Sequence, residues 1–359
     1  MPHTAKTQNQ QSASFSGTAP SNQFEPRGVY RPEYEHDSCG VGFIADLTSS
    51  PRHDLVEDAV QILVNLEHRG AVGGDQATSD GAGLLLGKPD SFFRSEEAGL
   101  NFELPPFDDY AVGMVFMPTD TESAEACRHA MEQAVKTEGM VPLGWRSVPV
   151  NPDCLGKFAR DTMPQFEQFF VGRQNLSPDV FERKLYVARR RAEKTVAELK
   201  DADTSSFYVA SLSSKTVVYK GMLTGTELYQ FFPDLTHETY KSHFAIVHQR
   251  YSTNTAPTWS LAQPFRMLAH NGEINTLHGN INRMRARESK MSSPLLGDDI
   301  NTILPATGAG SSDSATIDNA LELLVHGGRS LPHAMMMLVP EPWGNTFHIS
   351  EDKRAFYEF

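Results

Sequence analysis

Cysteine is scarce: the chain has three, Cys39, Cys127 and Cys154. No two of them form a C-x-x-C pair, so their spacing supports neither a disulfide framework nor a structural zinc site. A reducing cytoplasm suits such a chain, and each isolated cysteine is either a small buried hydrophobe or a nucleophile. Positive charge is also short, with 32 Lys and Arg against 45 Asp and Glu, a net charge of −13 over 359 residues. The one basic cluster is Arg189 to Arg191, so nucleic acid is not an expected partner. No apolar run approaches the roughly 18 residues that a membrane-spanning helix needs. The 13 histidines contain no H-E-x-x-H, and no bound metal is expected.

Residues 1–22 carry no acid, one lysine, and mostly Ser, Thr, Gln and Asn where a core would need apolar side chains. They read as a disordered arm. The arm is acid-poor and Ser-rich, as organelle transit peptides are, but it lacks arginine, an apolar face and a secretory apolar stretch. Aromatics and charge enter between Gln23 and Ser38, and the pattern changes abruptly at Cys39.

From Cys39, the alternation of Val41, Phe43 and Ala45 predicts a buried strand. A helix follows, with Asp54 as its cap, Glu57 three residues on, Leu55, Ala59, Ile62, Leu63 and Leu66 on one face, and Gly70 as a C-terminal glycine. A glycine-rich loop spans Gly73 to Gly83. It matches neither G-x-x-x-x-G-K-[ST] nor a dinucleotide fingerprint. Further on, the pattern predicts a strand at Tyr110–Met117, a helix at Glu122–Thr137 with Cys127 in its core face, and a helix at Glu182–Leu199. A hairpin is expected from Phe207–Leu212 and Thr216–Tyr219 around Ser213, Ser214 and Lys215. Strands His243–Gln249 and Phe265–His270 each run into a polar cluster. Ser311, Ser312 and Asp313 open a helix whose apolar positions Ile317, Ala320, Leu321 and Leu324 continue to Gly327. Leu331 to Pro340 reads as one more apolar element. Strands and helices come in blocks, which points to a layered α+β fold and away from a doubly wound parallel sheet.

Four dispersed features offer chemistry. If residues 1–38 are removed, Cys39 carries a thiol and a free α-amine, and an amine of pKa about 7.7 to 8.0 can take the thiol proton itself. The bland alternative is a buried structural cysteine. Asn271-Gly272 is either a hairpin turn or a pair of donors, a side-chain amide and a backbone N–H, converging on an oxyanion. Arg250 and Asp313 are either a surface ion pair and an N-cap or a cation and an anion matched to the carboxylate and ammonium of a free amino acid.

Cys39-Gly-Val-Gly-Phe, Leu66-Glu-His-Arg-Gly70, Asp80-Gly-Ala-Gly83, Arg250-Tyr-Ser-Thr253, His270-Asn-Gly-Glu-Ile-Asn275, Ser311-Ser-Asp-Ser314 and the closing Lys353-Arg-Ala-Phe-Tyr357 together resemble a known family. It is the class II glutamine amidotransferases, and among them the amidotransferase domain of the glutamate synthases. The resemblance runs from about Tyr30 to the last residue. It implies a four-layer αββα N-terminal-nucleophile (Ntn) hydrolase sandwich of two antiparallel sheets between helical layers. It implies that residues 1–38 are a leader whose loss exposes Cys39, and that residues 39–359 are the amidotransferase domain. By position, Cys39 matches the nucleophile, Asn271 and Gly272 the oxyanion hole, Arg250 the α-carboxylate clamp, Asp313 the α-ammonium partner, and Thr253 a residue lining the same pocket.

The implied activity is hydrolysis of L-glutamine to glutamate and ammonia through a Cys39 thioester. In the full enzyme the ammonia feeds reductive synthesis of glutamate from 2-oxoglutarate. That enzyme uses FMN and an iron-sulfur cluster, and takes electrons through a small reductase subunit or from ferredoxin. Those synthase domains are absent from this chain, whose three cysteines lack cluster spacing. The other readings are another class II amidotransferase, a stand-alone Ntn amide hydrolase, or a non-catalytic glutamine-binding module.

Overall fold

The computed structural model describes residues 39–73, 78–200, 202–251, 256–272, 274, 276–307, 312–342, 344 and 347–358. The leader expected over residues 1–38, Thr253 and Ser311 lie outside the described residues. In chain order the strands are β1 (Val41–Ala45), β2 (Ala82–Gly87), β3 (Tyr110–Met117), β4 (Val141–Ser147), β5 (Gln165–Gly172), β6 (Tyr208–Ser213), β7 (Thr216–Gly221) and β8 (Phe244–Gln249). The helices are α1 (Asp54–Asn65), α2 (Asp90–Phe93), α3 (Thr121–Thr137), α4 (Lys157–Asp161), α5 (Pro178–Ala197), α6 (Gly225–Phe231), α7 (Leu277–Glu288), α8 (Asp299–Ile303), α9 (Asp313–His326), α10 (Leu331–Leu338) and α11 (Glu351–Glu358).

The strands pair into two four-stranded antiparallel sheets, ordered β1-β8-β2-β7 and β4-β5-β3-β6. Strand β3 shows how they stack. All eight of its residues are buried, so its period of two is hidden in an unbroken apolar run. Tyr110, Val112, Met114 and Phe116 point into a core shared with Leu84, Leu86, Val217 and Tyr219 of the other sheet. Ala111, Val115 and Met117 point the opposite way, against Cys127, Met131 and Ala134 of α3 and Leu185 and Ala188 of α5. On the outer side of the first sheet, α1 packs with Leu55, Val56, Ala59, Val60 and Leu63 buried. The order helix, sheet, sheet, helix is the expected αββα sandwich.

Five local expectations are corrected. Asp54 is the first residue of α1, not its cap, and Gly70 follows a 3₁₀ turn at Glu67–Arg69 with ordinary extended backbone. What Gly70 requires is space, because a methyl carbon there would sit 2.4 Å from Nε2 of Gln249. Strand β1 is at a sheet edge, so Phe43 is 79% exposed. The pair β6 and β7 is not a hairpin: the turn between them carries the chain from one sheet to the other. No strand forms over 265–270, for a reason that belongs to the site. Among the described residues no helix is long and apolar enough to cross a membrane.

Candidate active site

The site begins with register. Strand β8 lies between β1 and β2, with Val41 opposite His248 and Ala82 opposite Gln249. One step beyond the first ladder, Gln249 N–H donates to the Gly40 carbonyl at 2.8 Å, which sets Cys39-Gly40 and Gln249-Arg250 at the same end of the sheet. On the other flank Arg250 N–H donates to the Gly81 carbonyl at 2.8 Å, and its Nη1 donates to the Asp80 carbonyl at 3.4 Å. The end of one central strand thus gathers Cys39 and the Asp80–Gly81 turn around Arg250.

Cys39 is the exposed cysteine among the three. Val41 N–H donates to its Sγ at 3.4 Å. The other two thiols are poor nucleophiles. Burial pushes Cys127 up to about 11, and burial followed by the Glu227 charge also raises Cys154.

The segment 265–272 approaches this strand end without joining the sheet. Apart from Phe265 N–H donating to the Leu268 carbonyl at 3.0 Å, its backbone bonds go to side chains, as a partly buried segment outside any ladder requires. Asp318 Oδ1, on α9, accepts from Met267 N at 2.8 Å and from Leu268 N at 3.2 Å. The Gln263 amide clamps His270 from both sides, accepting from its N–H at 3.0 Å and donating to its carbonyl at 3.1 Å. The same carbonyl lies 3.2 Å from Nε2 of His248. So held, the chain delivers Asn271 to Gly40: a methyl carbon at Gly40 would stand 3.0 Å from Asn271 Nδ2 and 3.4 Å from its Oδ1. Asn271 and Gly272 are both exposed at this edge.

Asp313 opens α9 but does not cap it. Ser312 Oγ is the cap, accepting from Ala315 N at 3.1 Å. The Asp313 carboxylate instead accepts from Ile274 N at 3.0 Å and from Ser314 N at 2.7 Å, which ties it to the Asn271 segment. Arg250 is only 7% exposed. Burial lowers its pKa, while the charges of Asp80 and Asp313 raise it. Asp313 likewise opposes the lowering that burial imposes on His270.

Cys39, Arg250, Asn271 and Asp313 are therefore brought to one strand end through their neighbours Gly40, Gln249 and Ile274, though far apart in sequence, and Gly272 follows Asn271 directly. Thr253 lies outside the described residues. Sequence patterning did not single out His248, Gln263 or Asp318. Their signal was a polar residue inside or beside an apolar run, which by itself is as common in structural caps as in sites. Among the described residues no group of three His, Cys, Asp or Glu side chains converges as metal ligands would.

Residues 39–359 match the family described as "Glutamine amidotransferases class-II". The large chain of Bacillus subtilis glutamate synthase (NADPH) is 48% identical over 339 residues, covering 93% of this chain and 22% of its own length. Schizosaccharomyces pombe glutamate synthase (NADH) is 43% identical over 357 residues, covering 96% and 16%. The chloroplastic ferredoxin-dependent glutamate synthase of Oryza sativa subsp. japonica is 44% identical over 317 residues, covering 87% and 19%. The chain spans about a fifth of the length of the curated relatives it matches.

Proposed function

The chain belongs to the class II glutamine amidotransferases, and on that premise we propose that residues 39–359 hydrolyse the side-chain amide of L-glutamine with Cys39 as nucleophile. The observation that carries the proposal is a coincidence of two independent facts. The family match starts at Cys39, and Cys39 is the exposed thiol, followed by a glycine that an asparagine amide approaches.

In this reading removal of residues 1–38 gives Cys39 a free α-amine. The amine takes the thiol proton, and the thiolate adds to the δ-carbonyl carbon of glutamine. The carbonyl electron pair moves onto oxygen, where Asn271 Nδ2 and the Gly272 N–H stabilise it. The C–N bond then breaks, the α-ammonium returns its proton to the leaving nitrogen, and ammonia departs from a Cys39 thioester. Water adds to the thioester, releasing glutamate and restoring the thiol. Arg250 holds the substrate α-carboxylate and Asp313 its α-ammonium. Arg250 suits the task because a buried guanidinium loses little to solvent screening. Thr253 is assigned to the same pocket.

As part of a longer glutamate synthase, the chain would pass its ammonia to reductive glutamate formation from 2-oxoglutarate. FMN, an iron-sulfur cluster and a small reductase subunit or ferredoxin would belong to that larger assembly, in the cytoplasm. The cysteines here do not fit a cluster: Cys127 and Cys154 sit in different cores and Cys39 is on the surface.

Intact mass and glutaminase activity test the proposal together. Active protein should begin at Cys39, and Cys39→Ala should release no glutamate. Turnover by protein that still begins at Met1, or equal rates for wild type and Cys39→Ala, would overturn it.

A further inference from the structure

Gln263 is 5% exposed, and its side chain takes the place that a neighbouring strand would have beside His270. Its Oε1 accepts from the His270 N–H at 3.0 Å and its Nε2 donates to the His270 carbonyl at 3.1 Å. One amide side chain thus makes both bonds of a backbone pair. The same carbonyl lies 3.2 Å from Nε2 of His248 on β8, so two donors fix its direction. That direction matters because the peptide unit is planar: the His270 carbonyl and the Asn271 N–H share one rigid plane. Holding the first sets where the backbone of Asn271-Gly272 begins.

Gln263 is itself seated on the first sheet, and two glycines of Asp80-Gly-Ala-Gly83 make the seat. A methyl carbon at Gly83, on β2, would stand 2.5 Å from the Gln263 carbonyl oxygen, and one at Gly81, where φ is +131°, would stand 2.8 Å from Ala262 Cβ. Bare backbone at both positions lets residues 262–263 lie against the strand end. Beyond His270 the chain has other anchors. Asp318 accepts from Met267 N and Leu268 N on one side, and Asp313 accepts from Ile274 N on the other. The stretch between them therefore stays tethered without Gln263. What the Gln263 amide adds is control of the peptide that leads into Asn271.

We propose that Gln263 is a positioning residue for the oxyanion hole: its amide sets the His270–Asn271 peptide plane, and through that plane the direction of Asn271 Nδ2 and of the Gly272 N–H. This rests on the reading of Asn271 and Gly272 given above. Oxyanion donors act on charge that develops in the transition state. Misdirecting them slows turnover more than it weakens glutamine binding, which falls to Arg250 and Asp313.

The test compares Gln263→Met and Gln263→Glu in the full chain, and repeats Gln263→Met together with Asn271→Ala. Methionine matches glutamine in length and makes neither bond. The carboxyl of Gln263→Glu matches the amide in shape, keeps the acceptor, and recovers a donor only when protonated. Measured quantities are kcat and KM for glutamine between about pH 5.5 and 8, the rate of Cys39 alkylation by iodoacetamide, and the thermal midpoint. Gln263→Met should lose about tenfold or more in kcat, with KM within about twofold of wild type and the alkylation rate unchanged. Added to Asn271→Ala, the same substitution should cost less than about threefold, because residues that act as one unit are not additive. In Gln263→Glu, kcat relative to wild type should rise as pH falls, while the ratio for Gln263→Met stays flat. Full kcat in Gln263→Met, a KM that rises as kcat falls, or an alkylation rate that falls with kcat would overturn the proposal. If Gln263→Met does not fold, the Gln263→Glu series decides, and a ratio independent of pH overturns the proposal. An unchanged kcat in Asn271→Ala would sink the reading of the oxyanion hole and this role with it. Losses that multiply in full would sink only the role given to Gln263.

Discussion

Gly40 and Asn271 meet face to face: a methyl carbon on the glycine would stand 3.0 Å from the asparagine Nδ2 and 2.4 Å from the Gln249 carbonyl oxygen. The second distance involves backbone that is itself bonded, Gln249 N–H to Gly40 O. Gly40→Ala should therefore force β1 away from β8. Overpacking of this kind costs about 1 to 3 kcal/mol, and Cys39 moves with the strand. The expected outcome is a lowered urea midpoint together with loss of nearly all glutaminase activity. A variant with normal activity would mean that Cys39 does not need this register.

Asn271→Ala should separate catalysis from folding. The residue is exposed, so its removal leaves the thermal midpoint almost unchanged. Loss of one oxyanion donor should lower kcat by about 10²- to 10³-fold. Steady-state kinetics on glutamine, with KM within a fewfold, would bear this out, and an unchanged kcat would exclude Asn271 from the oxyanion hole.

The amino-acid clamp should respond in KM. Arg250→Lys keeps the charge but not the planar fork, and Asp313→Asn removes the anion. Hydrogen bonds to charged groups contribute about 1.5 to 3 kcal/mol, so each variant should raise KM for glutamine about 10- to 100-fold. Asp313→Asn should also disturb the Ile274 contact, so part of its effect falls on kcat. Wild-type KM in Arg250→Lys would place the substrate carboxylate elsewhere.

Acid stability reports on His248. Its pKa in the folded chain is lowered from 6.5 to about 4, chiefly by burial. The unfolded chain therefore takes up the proton first as pH falls, and stability is lost from about pH 6.5 down to about pH 4. The loss over that window is about 3 kcal/mol. Burial also lowers the pKa of His270 and of His326, adding loss in the same direction. Urea unfolding of wild type and His248→Gln at pH 7, 6 and 5 should show a shallower decline in the variant. Parallel declines would mean that His248 titrates normally.

Stability and activity should come apart at Arg146 and Asp234. Arg146 donates to both carboxylate oxygens of Asp234 at 2.7 Å, Tyr219 OH donates to the same carboxylate at 3.1 Å, and both ionic side chains are buried. Removing one partner strands the other charge, at about 3 to 5 kcal/mol. Asp234→Ala should lower the urea midpoint sharply, while the folded fraction keeps wild-type KM. A loss below about 1 kcal/mol would show that water reaches Arg146.

Local pattern was enough for the elements whose partners are implied by their own periodicity. Strand β3, helices α1, α3, α5 and α9 and strand β8 follow from runs of apolar residues at spacings of two or 3.6, because burial on one or both faces demands them. The same reasoning read 265–270 as a strand, since apolar side chains ending in Asn-Gly look alike whether backbone partners are strands or side chains. Gln263, Asp318 and His248 took those bonds, and no local signal says which residues will face one another after folding. The β6–β7 turn failed as a hairpin for a related reason: a short turn fixes proximity, not which sheet each strand joins.

What the sequence determined alone was a layered α+β chain with a cysteine at the point where a polar arm gives way to the first strand, because composition and period are local properties. Tertiary structure decided the rest. Only the antiparallel register of β1 and β8 sets Gly40, beside Cys39, against Gln249, beside Arg250, and only the side-chain clamp on His270 brings Asn271 to Gly40. Contacts across more than 200 residues of sequence are selected by how two sheets and α9 close together, not by any residue's neighbours in the chain.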